Sequence, residues 1–270
     1  MSSVNKFFDK VFVINLFDNI DRWKNVSTQL KRRKIKVERF VAIDGRCKNQ
    51  GRTACKQKLK SLELTHNVKI NVPRGYKLKE IIPASSLTIG TILLMRAMVK
   101  NKWKRMLIFE DDVDIGRNFE KRFKNGIKGL KNKNWDILYL GCGGLCGHKN
   151  VEYEKSKSNN KLSTVTKIIG GDEIWLKYKN DLRSPCDICD SVSKYISLAP
   201  KPGGTWGYGV SLKGARKILK LIDNQAGQHI DQVYKRECNN GNLNCIAFDP
   251  PLIWHQEGYI RTSSDIPWSD

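Results

Sequence analysis

Val11-Phe-Val-Ile-Asn-Leu16 is a short run of almost unbroken apolar, partly β-branched residues. It suits a strand covered on both faces, the habit of strands in parallel sheets. Beyond it Ile20, Trp23, Val26 and Leu30 recur near helical spacing, with Asp18 or Asn19 placed to cap. Val37 to Ile43 reads as a second strand, ended by Asp44-Gly45. Strand, helix and strand in this order predict an α/β layer architecture.

The alternation continues. Thr88 can cap a helix running through Lys100, with Ile92, Met95 and Val99 on one face, and Arg105 to Phe109 follows as a strand. Phe119, Phe123, Ile127 and Leu130 mark an amphipathic helix. Trp135 to Leu140, Thr205 to Ser211 and Leu243 to Phe248 read as strands. Ala215, Ile218, Leu219 and Ile222 mark a helix, and Ile230 opens a short one. Residues 46–86 carry basic and turn residues, and Val72-Pro-Arg-Gly-Tyr76 and Ile82-Pro83 punctuate a loop. From Gly143 to about Lys201 the text turns polar, which predicts a solvated insertion. No internal repeat is visible. The 270 residues are expected to form one domain.

Lysine and arginine number 49 against 27 acids, a net charge of +22. Such a field attracts polyanions, including nucleic acid, acidic membrane and phosphorylated small molecules. No RNP aromatic pair or paired Cys–His finger is present, so no specific nucleic acid is expected, while peripheral contact with an acidic membrane fits the charge. The N-terminus has no secretory apolar region, and no apolar run approaches the roughly 18 residues of a spanning helix, so a cytoplasmic protein is expected. The text rich in asparagine and lysine suggests an AT-rich genome, such as that of a large virus or a parasite. Without a secretory signal the eight cysteines are expected as free thiols. Cys186 and Cys189, with Cys142, Cys146 and His148, offer an alternative zinc clip or redox pair.

Glu110-Asp-Asp-Val-Asp114 sets four acids in five positions directly after an apolar strand. In α/β sheets, ligands sit beyond the carboxyl ends of strands. Strand alternation would point Glu110, Asp112 and Asp114 one way and Asp111 the other. So much negative charge calls for a cation, and a hard divalent ion with oxygen ligands is the candidate. The competing reading is an exposed acidic turn that caps the next helix. A metal here could bridge a diphosphate and neutralise charge on the departing phosphate. Neither a P-loop nor Gly-x-Gly-x-x-Gly occurs.

Five segments, in order, resemble glycosyltransferase family 25, which includes lipooligosaccharide and procollagen galactosyltransferases. They are Val11-Phe-Val-Ile-Asn-Leu16 with Asp21-Arg22, Arg39-Phe-Val-Ala-Ile-Asp-Gly45, Leu107-Ile-Phe-Glu-Asp-Asp-Val113, Gly204-Thr-Trp-Gly-Tyr-Gly-Val-Ser-Leu-Lys-Gly-Ala215, and Pro250-Pro-Leu with Ser264-Asp-Ile266. The resemblance implies a GT-A-like α/β fold with a mostly parallel central sheet flanked by helices. It implies a UDP-sugar donor, Mn2+ (or Mg2+), and inverting transfer of a hexose to a hydroxyl of a glycan or hydroxylated protein. On that match residues 9–140 form the nucleotide-sugar and metal half, 141–203 the polar insertion, and 204–270 the acceptor and base half. Asp112 would ligate the metal, and Glu110 and Asp111 would contact the ribose, or the metal through water. Val13, Asn15, Arg22, Asp44 and Gly45 would lie near the nucleotide. The family commonly carries a Ser-His pair where this chain has Leu94-Met95.

Inverting transfer needs a base to take the acceptor proton. Asp231 is the candidate, with an N-cap as its alternative role. His255 is a second candidate metal ligand, and Trp206 and Tyr208 are candidates to stack on sugar. The alternative to an enzyme is a basic polyanion-binding protein on a catalytically degenerate transferase fold. A hydrolase or phosphotransferase at the same acids is a third reading.

Overall fold

The computed structural model describes residues 1–47, 51–116, 118–130, 133–146, 189–249 and 251–255, with the backbone of three short strands between 151 and 177. In chain order the elements are α1 (Ser3–Phe7), β1 (Lys10–Asn15), α2 (Ile20–Arg32), β2 (Glu38–Val41), α3 (Arg52–His66), α4 (Leu78–Lys100), β3 (Arg105–Glu110), β4 (Val113–Ile115), α5 (Phe119–Lys128) and β5 (Ile137–Leu145). There follow β6 (Val151–Glu154), β7 (Thr164–Ile168), β8 (Leu176–Lys177), β9 (Ser191–Ser193), β10 (Ile196–Leu198), β11 (Lys201–Ser211), α6 (Leu212–Ile222), α7 (Ile230–Asn239), β12 (Cys245–Phe248) and β13 (Ile253–His255).

Eight strands form the central sheet in the order β2-β1-β3-β11-β5-β12-β10-β9. The pairings make six of them run one way, with only β11 and β10 reversed. The mostly parallel α/β sheet expected from sequence is what the chain builds.

Alternation along the strands splits the core into two layers. Val11, Val13, Leu107, Phe109 and Leu138 face α1, α2 and α5, where Val4, Val26, Leu30 and Phe123 wait. Phe12, Ile14, Met106, Ile108, Tyr139 and Tyr208 face the other way, onto α3, α4, α6 and α7. Phe123 stands within 5.6 to 6.0 Å of the rings of Phe7, Phe8, Phe119 and Phe248, tying α1, α5 and β12 together.

Several sequence expectations need correction. α3 occupies text that reads as turn-rich. α4 begins ten residues before Thr88, and Pro83 lies inside it. The Glu80 carboxylate accepts from the Lys77 N–H at 3.1 Å, closing the first turn, and burial of Ile81 and Ile82 offsets the hydrogen bond that Pro83 cannot make. By length and composition α4 would pass for a membrane span, but most of it is buried inside the protein, as a core helix is. The polar insertion is shorter than its composition suggests, since β5 runs on to Leu145 and β9 and β10 belong to the main sheet. Within it β6, β7 and β8 pair as a separate sheet, and most of its lysine-rich text lies outside the described residues.

The cysteines depart from free thiols. Cys47 pairs with Cys55, Cys142 with Cys146 and Cys238 with Cys245, at Cα separations of 5.8, 6.0 and 5.7 Å, within disulfide range. Cys142 and Cys146 thus engage each other rather than a zinc ion. Cys186 and His148 lie outside the described residues.

Candidate functional site

β1 and β3 are parallel neighbours, so their carboxyl ends, Asn15 and Glu110, come out side by side. The chain then turns at Asp111-Asp112 and enters β4, which pairs antiparallel with β13 and sets His255 opposite Val113. β1 and β13, remote from it in sequence, therefore converge on the acidic turn between β3 and β4.

Asn15 donates from Nδ2 to Asp111 Oδ2 at 2.5 Å and to the Asn19 carbonyl at 3.0 Å. Its Oδ1 accepts from Arg39 Nε at 2.8 Å, and Arg39 also lies over the Trp23 ring. Arg22, only 5 % exposed in the first turn of α2, sends Nη1 to Asp111 Oδ1 at 3.2 Å and to Asp112 Oδ2 at 3.3 Å. His255 Nε2 reaches the same Asp112 oxygen at 3.3 Å. Thr205 Oγ1 donates to Glu110 Oε1 at 2.5 Å, and the Trp206 ring meets His255 edge-on at 5.8 Å. Asp112 Oδ1 is buried and has no hydrogen-bond partner.

The three acids are not electrostatically alike. Burial, and then the Asp112 charge, push Glu110 up to about 8, against the pull of Thr205 and His255. Burial and Asp112 push Asp111 up to about 6, although Asn15 and Arg22 oppose them. Burial also acts to raise Asp112, but the His255 hydrogen bond and charge, with Arg22, outweigh it and hold that carboxyl below its ordinary value. Near neutral pH Asp112 is therefore charged, Asp111 mostly so, and Glu110 largely protonated.

The geometry corrects the simple alternation. β3 ends at Glu110, so Asp111 and Asp112 occupy a turn, where both reach Arg22. Asp114 points away and meets Gln29 at 3.3 Å. Nor does the cluster cap the next helix, because α5 has Asn118 as its N-cap.

Of the other candidates, Val13 is fully buried against Val26 and Leu30, so its side chain faces the core rather than the acids. Tyr208 is buried between Tyr139 and Tyr234, with ring centroids 6.2 and 5.6 Å away, and cannot stack on a sugar. Trp206, on the opposite side of the same strand, does reach the acidic turn. Asp44 accepts from the Arg46 N–H and Nε, both at 2.9 Å, and Arg46 holds its carboxyl below the ordinary range. Gly45 lies flush against α4. Asp231 is not an N-cap, since His229 holds that position. Its carboxylate accepts from the Gln232 N–H at 2.8 Å, and its charge helps raise Glu110 and Tyr139. Leu94 and Met95 are buried in apolar packing. Sequence reasoning missed the roles of Thr205 and Arg39. Both stand inside quoted motifs, but their partners lie 95 and 24 residues away.

Among the described residues no three His, Cys, Asp or Glu side chains are arranged to hold a metal by themselves. An ion bound through one or two protein side chains, with phosphate oxygens and water completing its shell, asks for less. The partnerless Asp112 Oδ1 fits that requirement.

The glycosyltransferase family 25 (LPS biosynthesis protein) model matches residues 8–234. The human protein named inactive glycosyltransferase 25 family member 3 is 23 % identical over 290 residues, covering 97 % of this chain and 40 % of its own length. Human procollagen galactosyltransferase 2 is 20 % identical over 291 residues, covering 97 % and 38 % respectively. The chain thus spans about two fifths of these curated relatives. A viral source finds no support in them. Among solved structures, A197 from STIV aligns at a TM-score of 0.38 and 11 % identity, over 91 % of this chain and 83 % of that one.

Proposed function

The chain belongs to glycosyltransferase family 25, and from that premise we propose that it forms a metal-dependent transferase domain. It moves a hexose from a UDP-sugar to a hydroxyl of a glycan or a hydroxylated protein. The observation that carries this reading is the buried Asp112 carboxylate, charged at neutral pH, with Oδ1 unengaged at the carboxyl end of the sheet.

Asp112 and His255 would hold Mn2+ or Mg2+. When bound, the ion supplies positive charge against the leaving diphosphate. Asn15 and Arg22 brace the Asp111–Asp112 turn, so the charged oxygens are in place before a ligand arrives and need no reorganisation when it does. Glu110 and Asp111 face the donor, and the loop carrying Asp44 and Gly45 contributes to the nucleotide side. Asp231, in the first turn of α7, takes the proton of the attacking acceptor hydroxyl. Trp206, packed on His255, offers an apolar edge to a sugar ring.

A second reading is favoured by one observation. Arg22 and His255 already engage the same Asp112 oxygen, as they would in a degenerate site, and a matched human relative bears the name inactive. In that case the +22 charge would serve polyanion binding. Thermal melting with UDP and UDP-hexoses, in Mn2+ or in EDTA, separates the two. A ligand that binds only the native state raises the melting temperature. The transferase reading expects Mn2+-dependent stabilisation that Asp112→Asn abolishes. No stabilisation by any nucleotide, together with salt-sensitive binding to heparin, would replace it with the second reading.

A further inference from the structure

β11 reaches the acidic turn in a way a regular strand cannot. Successive side chains on a strand point to opposite faces. Yet Thr205 and Trp206 both arrive at the same site, one on Glu110 and the other on His255. The register of β11 against β5 shifts between Gly203 and Gly207 and again between Gly207 and Tyr208. Gly204 lies at φ +73°, where a side-chain-bearing residue is strained. At Gly207 a Cβ would come within 2.2 Å of Ile253 Cδ1 and 2.9 Å of Phe109 Cδ1, so the strand presses tightly onto β3 and β13. The ladder to β3 begins at Gly207, opposite Phe109, which leaves Thr205 beyond it and beside Glu110. This is a β-bulge that re-aims side chains at a functional edge.

We infer that Thr205 is a positioning residue: the β11 bulge delivers its hydroxyl to Glu110 Oε1 and thereby holds the Glu110 carboxyl in the orientation that receives the metal-bound nucleotide. The inference rests on the transferase reading and names a residue through which that site is organised. Thr205 is 5 % exposed, so its hydroxyl has little alternative in solvent and donates to Glu110. Without it, Glu110 keeps its volume but loses the group that fixes its rotamer.

The test compares wild type, Thr205→Val and Thr205→Ser by calorimetric titration with UDP in Mn2+, alongside melting temperatures in EDTA. Partners of this outer kind typically change affinity by about 10- to 100-fold when removed. Thr205→Val should weaken Mn2+-dependent UDP binding by about that factor, whereas Thr205→Ser, which restores the hydroxyl, should bind within about threefold of wild type. Wild-type affinity in Thr205→Val would overturn the inference and leave the transferase reading intact. Equal weakening in both variants, in step with their melting temperatures, would overturn it in favour of a packing role. Failure of the wild type itself to bind UDP would remove the transferase reading and this inference together.

Discussion

Glu110→Gln should make the metal-free protein more stable. Burial and the Asp112 charge hold the native carboxyl up at about 8, against an ordinary 4.5. Between these values the native state keeps a proton that the unfolded chain releases. Stability is therefore lost as pH rises from 4.5 towards 8 and is flat above that. At pH 7 the gap is about 2.5 pH units, a ceiling of roughly 3.5 kcal/mol at about 1.4 kcal/mol per unit. Glu110 retains partial solvent contact at the mouth of the site, and screening there brings the penalty to about 1–2 kcal/mol. Glutamine cannot ionise, and its carbonyl still accepts from Thr205. The variant should therefore gain about 1–2 kcal/mol over wild type near neutral pH, and the two should converge near the ordinary carboxylate value. Urea unfolding in EDTA at about pH 5, 7 and 9 measures this directly. Equal stability near pH 7, or parallel pH dependences in the two proteins, would refute the electrostatic account of the cluster. In functional terms, the same variant should lose Mn2+-dependent UDP binding. Its gain in stability would then be the destabilisation that wild type tolerates to keep an acidic site.

Arg22→Met keeps the aliphatic volume but leaves Asp111 and Asp112 buried beside each other without their shared cation. It should cost about 3–5 kcal/mol near neutral pH, read by the same urea titration, and less in acid as the carboxyls protonate. A loss within about 0.5 kcal/mol would show that solvent already screens the pair. Gly45→Ala sets a Cβ 2.4 Å from Ser86 Oγ and 2.7 Å from Pro83 Cα, the latter backbone that cannot step aside. A loss of about 1–3 kcal/mol is expected, and an unchanged unfolding midpoint would mean that the Asp44 loop does not lie against α4 as described.

Much of the fold is legible where local patterning and burial agree. The run at Val11 and the spacing of Ile20, Trp23, Val26 and Leu30 became β1 and α2, because one element is covered on both faces and the other presents one stripe to the core. Legibility failed where tertiary burial overrode local signals. Pro83 and the basic text around Lys56 read as loop. They lie in helices because α4 is enclosed nearly all round and α3 rests Cys55 and Leu62 against the core. Within the site, the acidic run was visible, but its alternation was not strand-like, because β3 stops at Glu110 and the next two residues make a turn.

The sequence by itself determined the strand-and-helix alternation, the acidic run after a buried strand, and the family. These depend on neighbours a few positions apart, or on motifs in order. Tertiary structure alone decided which groups complete the acidic turn. β11 is reversed and inserted between β3 and β5, which brings Thr205 to Glu110 from 95 residues away. β13 closes on β4 and carries His255 to Asp112. The bulge then separates Trp206, which reaches the site, from Tyr208, which is sealed in the core. Sheet order and register are set by which surfaces pack together across the whole chain. No local run of residues encodes them.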